Sequence, residues 1–323
     1  MITAGHICYT DHMMSSKRAL SLPVSIFFAI LASVCWSLSP VLSRMIREYY
    51  SVLFQNLFRF GISLLILWVF TLSRLGLKGT RSGLSGVPYL PLKLAGLAVF
   101  VFIHQVCYIG AIYRLFPAMA SLLSETNVVY TILLAYFMFH DERATIKTRG
   151  FRIGLLLALS GMCVIIVSGS GMRDAEVNAG VVYIIISALG WSLFTVFNRK
   201  WIPRVPPSLA TSIIFSIDTF LFALYILVFE SGGSYDPGTP LKAWLILSLS
   251  GVLGIGAGYT LYFAALPGAG VTVTASLSLL IPLITAAASY LLLGELLLPV
   301  QAAAGGVLIA GCYLIVRSRY RRG

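Results

Sequence analysis

Residues 23–43 of the chain read PVSIFFAILASVCWSLSPVLS, a run without a charged side chain. A helix needs about 20 apolar residues to cross the hydrocarbon core of a bilayer, and this run has that length. It is longer than the apolar core of a signal peptide and lacks a small-residue cleavage site, so we predict that it stays in the membrane.

The rest of the chain has the same character. Of its 323 residues 59% are apolar and only 11% are charged, and the mean hydropathy is +0.92. Soluble domains carry about 25% charged residues, so this composition excludes a soluble domain and a disordered chain. Ten apolar runs predict ten membrane-spanning helices. They cover residues 23–43, 51–73, 92–113, 116–139, 150–168, 180–198, 208–229, 241–263, 271–293 and 299–316. Two connections, 114–117 and 266–270, are short enough to predict tight hairpins.

The 23 lysines and arginines are distributed unevenly between the two sides of this predicted bundle. If alternate gaps face alternate sides, the basic clusters at 74–93, 143–152, 199–204 and 317–322 all fall on the side of the N-terminus. Such a bias marks cytoplasmic loops, which predicts a cell (inner or plasma) membrane protein with both termini in the cytoplasm. The net charge of +12 therefore does not indicate a nucleic-acid partner. The expected partners are the lipid bilayer and a small-molecule substrate, for a monomer or a homodimer.

Part of the first span recurs in the sixth. Trp36-Ser37-Leu38 matches Trp191-Ser192-Leu193, and Ala120-Ser121-Leu122 matches Ala275-Ser276-Leu277 in the same register. The repeating unit holds five spans, an odd number, so the second copy enters the membrane from the opposite face. The predicted fold is an all-α integral membrane protein of ten transmembrane helices in two inverted five-helix repeats, an architecture typical of secondary transporters. Its parts are a cytoplasmic tail (1–22), the first repeat (23–168), an extracytoplasmic linker (169–179), the second repeat (180–316) and a basic cytoplasmic tail (317–323).

Short motifs in a fixed order carry a family resemblance. They are Ala111, Ala120-Ser121-Leu122-Leu123, Glu142 and Gly161 in the first half, and Tyr259 to Ala265, Ala275-Ser276-Leu277, Pro282, Leu293-Gly294-Glu295 and Gly311 in the second. In these motifs and its ten predicted spans, the chain after residue 22 resembles the EamA-type transporters of the drug/metabolite transporter superfamily. One position departs from the family pattern, since Asn127 stands where a proline is usual and where the second half has Pro282. The resemblance implies a cytoplasmic-membrane exporter of small metabolites with a central cavity between the halves.

Four ionisable side chains, Arg59, His104, Glu125 and Asp218, fall inside predicted spans. A charge at mid-membrane costs at least about 2.5–3.5 kcal/mol, so each should be paired, face water or serve a function. At about 1.5 Å per residue, the first three lie in one layer roughly 12–14 Å below the outer edge, while Asp218 lies roughly 15 Å from the inner edge. One interpretation is a structural ion pair of Glu125 with Arg59, with Asp218 as a further candidate. The other is that Glu125 lines the cavity as a counter-charge for substrate or as a proton-coupling carboxylate.

Aromatic and polar side chains complete the predicted site. Trp36 and Trp191 occupy matching positions deep in their spans, which favours walls of a pseudo-symmetric cavity, and Tyr259 and Tyr262 are grouped with them. His104 and Tyr108 are one turn apart and share a helix face. These six residues, with Glu125 and Asn127, are the candidates for substrate binding or coupling. Packing alone is the alternative interpretation of the aromatic residues.

The sequence contains no Walker motif, no metal-spaced group of His, Cys and carboxylates and no Gly-x-Ser-x-Gly elbow. We therefore predict no enzyme activity, cofactor or metal site. The predicted function is a secondary transporter that exports a small polar metabolite (amino acid-like, an amine or a drug) by alternating access, with protons as a candidate coupling ion. The alternative is a channel-like facilitator or a membrane-embedded sensor on the same fold.

Overall fold

The computed structural model describes residues 21–138, 148–168, 175–230 and 235–320. Within these ranges the chain is helical, apart from turns and one isolated antiparallel bridge between Tyr50 and Tyr235. The helices are α1 (Leu22–Met45), α2 (Val52–Leu84), α3 (Leu90–Arg114), α4 (Pro117–Ser124), α5 (Asn127–Met138), α6 (Arg149–Ser168), α7 (Ala175–Trp201), α8 (Pro207–Phe229), α9 (Leu241–Gly251), a π-helical turn (Val252–Ala257), α10 (Gly258–Ser278), α11 (Ile281–Leu293) and α12 (Pro299–Tyr320). Nearly all of the predicted N-terminal tail, most of the linker after Ser168, Glu142 and the last three residues lie outside the described residues.

Many of these helices suit a bilayer. Among the described residues, seven segments are long and apolar enough to cross a membrane: Leu22–Met45, Val52–Leu84, Leu90–Arg114, Pro117–Met138, Asn178–Trp201, Pro207–Phe229 and Leu241–Ala269. Ile281–Leu293 and Pro299–Leu314 are shorter apolar helices. Large apolar side chains such as Leu65, Leu227 and Leu291 are more than two-thirds exposed, as expected where lipid rather than water surrounds them. The prediction of an all-helical, multi-pass membrane protein is confirmed.

The predicted fourth span, 116–139, is present but interrupted. α4 ends at Ser124, α5 begins at Asn127, and Glu125 and Thr126 form a turn between them. The hydroxyls of Ser124 and Thr126 donate to the carbonyls of Ser121 and Leu123 at 2.7 and 2.8 Å. Such local bonds offer the backbone an alternative to continuous helix. In the second half, Leu279 and Leu280 form a corresponding turn between α10 and α11.

Of the two predicted hairpins, the break at 114–117 is present, because α3 ends at Arg114 and α4 begins at Pro117. At 266–270 no gap separates two helices, since α10 runs from Gly258 to Ser278 with Pro267 inside it. The chain still reverses its direction relative to α1 in this region. Ahead of the reversal, Gly254 approaches Ser39 and Gly258 approaches Trp36. Beyond it, the carbonyls of Leu277 and Ile281 accept from Ser33 and Ser37.

The two predicted halves pack against each other through matching helix pairs. α6 packs on α12, α2 on α8, α3 on α7, and α1 on α10. Glycines permit the closest of these approaches: a β-carbon at Gly161 would lie 2.7 Å from the Ala304 carbonyl oxygen, and one at Gly311 would lie 2.6 Å from that of Gly154. Small residues that let helix backbones meet are a common means of packing in membranes.

Two serines tie α1 and α7 to the interrupted helices. Ser37 donates to the carbonyl of Ile281 at 3.2 Å, and Ser192 donates to the carbonyl of Asn127 at 2.9 Å. The donors occupy matching positions in the repeated Trp-Ser-Leu motif. Each bond joins a helix of one half to a helix that follows the turn in the other half.

Candidate functional site

A cavity of about 360 Å³ lies where the turn between α4 and α5 faces α1, α3, α7 and α10. This is within the usual size of small-molecule sites. All eight residues that the sequence nominates for binding or coupling contribute to its wall: Trp36, His104, Tyr108, Glu125, Asn127, Trp191, Tyr259 and Tyr262. The fold therefore brings them together from six segments of the chain, and their roles in binding stay predictions.

Glu125 supplies the negative charge of the cavity wall. It lies in the turn between α4 and α5, where its side chain reaches the cavity although only 9% of the residue is exposed. Its backbone carbonyl faces the Cys312 thiol at 3.7 Å. No hydrogen bond or ion pair reaches its carboxylate from the part of the chain that the structure describes. The carboxylate is thus available to a ligand in the cavity.

Arg59 supplies the positive charge. It is 3% exposed, and its Nη2 donates to the hydroxyl of Ser39 at 2.8 Å. Ser39 in turn donates to the carbonyl of Ser250 at 3.0 Å, which fixes the guanidinium against the π-helical turn. Its Nε and Nη1 have no hydrogen-bond partner among the described residues. A buried guanidinium with donors left over has a strong preference for an anionic acceptor.

The predicted ion pair of Arg59 with Glu125 is not formed, since within the described ranges no nitrogen and oxygen of the two side chains lie within 4.0 Å. Both residues line the same cavity from different sides. Asp218 does not join them, because it is fully buried and does not line the cavity. Depth in the membrane can be estimated from the sequence, but the direction in which a side chain leaves its helix depends on packing.

Aromatic rings form two similar groups in the wall. Trp36 packs against Tyr259 and Tyr262, with ring centroids 5.4 and 5.3 Å apart. In the second group Trp191 packs against the His104 ring at 5.1 Å. The His104 Nδ1 lies 2.9 Å from the Ser187 hydroxyl. Stacked aromatic faces of this kind suit an apolar or cationic group of a ligand.

Sequence reasoning missed several residues near the site. Ser39, Gln105 and Ser121 also line the cavity, but serine and glutamine inside a span carry no signal that separates a cavity residue from a helix contact. Sequence reasoning also missed the structural role of Arg44. This residue pairs with Glu295 at 3.6 Å and donates to the carbonyls of Ile112 and Tyr113. These contacts hold the ends of α1, α3 and α11 together. Two opposite charges at span ends were the available signal.

Apolar helices around a buried, charged and aromatic cavity define a multi-pass membrane transport protein. The chain belongs to the EamA-like transporter family, whose sequence profile matches residues 23–167 and 178–317.

Similar proteins agree with this assignment. The chain is 30% identical over 225 residues to an uncharacterized protein of Pseudomonas aeruginosa, covering 70% of this chain and 74% of the relative. It is 24% identical to an uncharacterized transporter of Haemophilus influenzae, covering 92% and 97%. It is 26% identical to a Salmonella typhimurium protein named "Probable amino-acid metabolite efflux pump", covering 71% and 78%. A solved crystal structure matches with a TM-score of 0.60 at 19% identity, covering 91% of this chain and 96% of that one, which supports the fold.

Proposed function

We propose that the protein is a secondary transporter that exports a small polar metabolite, with the central cavity as its substrate site. The observation that carries this proposal is the cavity itself, which holds a carboxylate and a guanidinium inside a bundle of apolar helices. Such charges are costly in a membrane and are usually kept for transport. The cavity wall supplies the polar and aromatic groups that a small ligand needs, and an enzymatic activity forms no part of the proposal.

The proposed architecture is ten transmembrane helices in two inverted repeats, residues 23–168 and 180–316. The two stretches matched by the family profile and the pairing of α3 with α7 and α1 with α10 support it. Both termini would lie in the cytoplasm of a cell-membrane protein, as the basic clusters favour. In such folds a site near the midplane is exposed to each side in turn.

The proposed substrate class is an amino acid-like zwitterion, with simple amines as the second choice. Glu125 reaches the cavity, and its carboxylate has no partner in the described chain, so it suits an ammonium group. Arg59, on another side of the cavity, retains unsatisfied donors among the described residues, which a substrate carboxylate can satisfy after a small movement. Trp36 and Trp191 would cover the rest of the molecule. The name of the Salmonella typhimurium relative agrees with this class.

The test uses the purified protein in lipid vesicles, with uptake of labelled amino acids, amines, nucleosides and toxic analogues measured with and without a pH gradient. A carrier accelerates uptake when unlabelled substrate is preloaded on the opposite side, whereas a channel does not, so this counterflow separates the two functions. Absence of counterflow with every compound would refute the proposal.

Glu125→Gln tests the cavity carboxylate. It should keep expression and thermal stability while uptake falls by about tenfold or more, the equivalent of about 1.4 kcal/mol. The matched control is Glu48→Gln, because Glu48 is exposed in the turn after α1. Unchanged uptake by well-folded Glu125→Gln would remove Glu125 from the site. A destabilised Glu125→Gln that Arg59→Gln restores would indicate a structural pair instead.

A further inference from the structure

Asp218 is a buried acid that the substrate cavity does not use. It lies on α8 with 0% exposure, and neither of its carboxyl oxygens has a hydrogen-bond partner among the described residues. Phe215 and Phe222 stand about one turn before and after it, and both rings pack against Phe60, with centroids 4.8 and 5.4 Å apart. Asp218 is therefore buried beside aromatic residues of α8 that pack against α2.

An ionised carboxylate is poorly accommodated in such a place. Burying an unpaired charge costs far more than burying the neutral acid, and a proton removes most of that cost. The ion pair between Arg44 and Glu295 lies at the ends of α1 and α11 and does not involve Asp218. This burial therefore favours a neutral, protonated Asp218 in the conformation described.

Tyr259 lies between this region and the cavity. The ring of Tyr259 packs edge-on against Phe215 at 5.1 Å and also lines the cavity. The helices packed against α8 are α2, α3 and α10. The titratable or charged groups that they hold in the interior are Arg59 on α2, His104, Cys107, Tyr108 and Tyr113 on α3, and Tyr259 and Tyr262 on α10.

The contact between α2 and α8 contains hydrogen bonds besides its aromatic packing. The Trp68 indole donates to the Ser216 hydroxyl at 3.1 Å, and the hydroxyls of Thr71 and Ser212 lie 3.0 Å apart. Water can replace each of these bonds when the helices separate. A movement of α8 along or away from α2 would thus bring water towards Asp218.

We propose that Asp218 is a proton-binding site of the transport cycle, distinct from the substrate carboxylate Glu125. It holds a proton while α8 is closed against α2, and it passes the proton to water when movement of α8 opens that contact. Tyr259 lines the cavity and packs against Phe215 near Asp218. It connects the occupancy of the cavity to the protonation state of Asp218. This proposal rests on the transport function proposed above and adds the coupling group.

The first test needs no substrate. Infrared difference spectroscopy of the purified protein in vesicles detects the carbonyl stretch of a protonated carboxyl group, which shifts in heavy water. The spectrum of the wild type minus that of Asp218→Asn should contain this band near neutral pH, and Glu125→Gln should retain it. Identical spectra for the wild type and Asp218→Asn would overturn the proposal.

The second test separates coupling from transport, with labelled phenylalanine as the probe because the cavity walls are aromatic. Asp218→Asn should keep counterflow within about twofold of the wild type, a change of well under 1.4 kcal/mol, yet lose acceleration by a pH gradient and proton flux reported by a trapped dye. Ser216→Ala, one turn away at the same helix contact, is the control and should stay coupled. Acceleration of Asp218→Asn uptake by a pH gradient would refute the coupling role. Wild-type uptake that a pH gradient does not accelerate would refute it as well. Absence of wild-type counterflow would instead count against the proposed function, and the infrared result would still decide the state of Asp218.

Discussion

Gly254→Ala is expected to disturb the cavity through a single methyl group. Gly254 lies in the π-helical turn, and a β-carbon there would overlap the Ser39 hydroxyl, lie 2.6 Å from the Ser39 β-carbon and lie 3.3 Å from the Arg59 Nη2. The serine is itself fixed in a buried helix, so it cannot move aside without losing its bonds to Arg59 and to the Ser250 carbonyl.

Two costs set the size of the effect. Overpacking a well-filled interior costs about 1–3 kcal/mol. Loss of a hydrogen bond to a charged group costs about 1.5–3 kcal/mol. Because the two events share one side chain they are not additive, and we expect a loss of at least about 2 kcal/mol in the free energy of unfolding.

The assay is thermal or denaturant unfolding of purified protein in detergent, followed by vesicle uptake. Gly306→Ala is the matched control, because Gly306 is also helical and a β-carbon there meets no atom within 4 Å. The control should be unchanged or slightly more stable, since alanine favours helix by about 1 kcal/mol relative to glycine. Equal stability of Gly254→Ala and Gly306→Ala would show that the close approach of the π-helical turn to α1 is not as described.

Two further predictions concern side-chain contacts. Ser187→Ala removes the hydroxyl 2.9 Å from the His104 ring, so we expect a loss of about 1 kcal/mol in stability and weaker substrate binding, measured as a raised KM; an unchanged KM in a stable variant would exclude His104 orientation as a factor. Arg44→Gln and Glu295→Gln, alone and combined, should show a coupling energy of up to about 1 kcal/mol in a double-mutant cycle, because the pair is partly buried. Strict additivity would mean that the 3.6 Å contact contributes nothing.

Much of the fold could be predicted because the membrane imposes a simple rule on the sequence. Apolar runs of the required length gave the positions of α1, α3 and α8 to within a few residues. The cavity residues could be predicted for a related reason. Few environments inside a membrane protein accommodate a charged or aromatic side chain deep in a span, such as Glu125 or Trp191, and a cavity wall is one of them. The repeated Trp-Ser-Leu motif predicted that Trp36 and Trp191 both form walls of one cavity.

The predictions that failed depend on direction rather than depth. Arg59 and Glu125 share a layer, but they approach the cavity from different helices and do not pair in the described structure. Asp218 does not line the cavity, and the rotation of α8 depends on packing such as that of Phe215 and Phe222 against Phe60.

The serine bonds from α1 and α7 bear on which parts of the protein can move as one. Ser37 holds a helix of the opposite repeat, and Ser192 does the same in return. Any motion that preserves both bonds must carry α1 along with α11 and α7 along with α5. Each rigid body of such a motion would then combine helices from both sequence repeats. Neither repeat would move as a unit by itself.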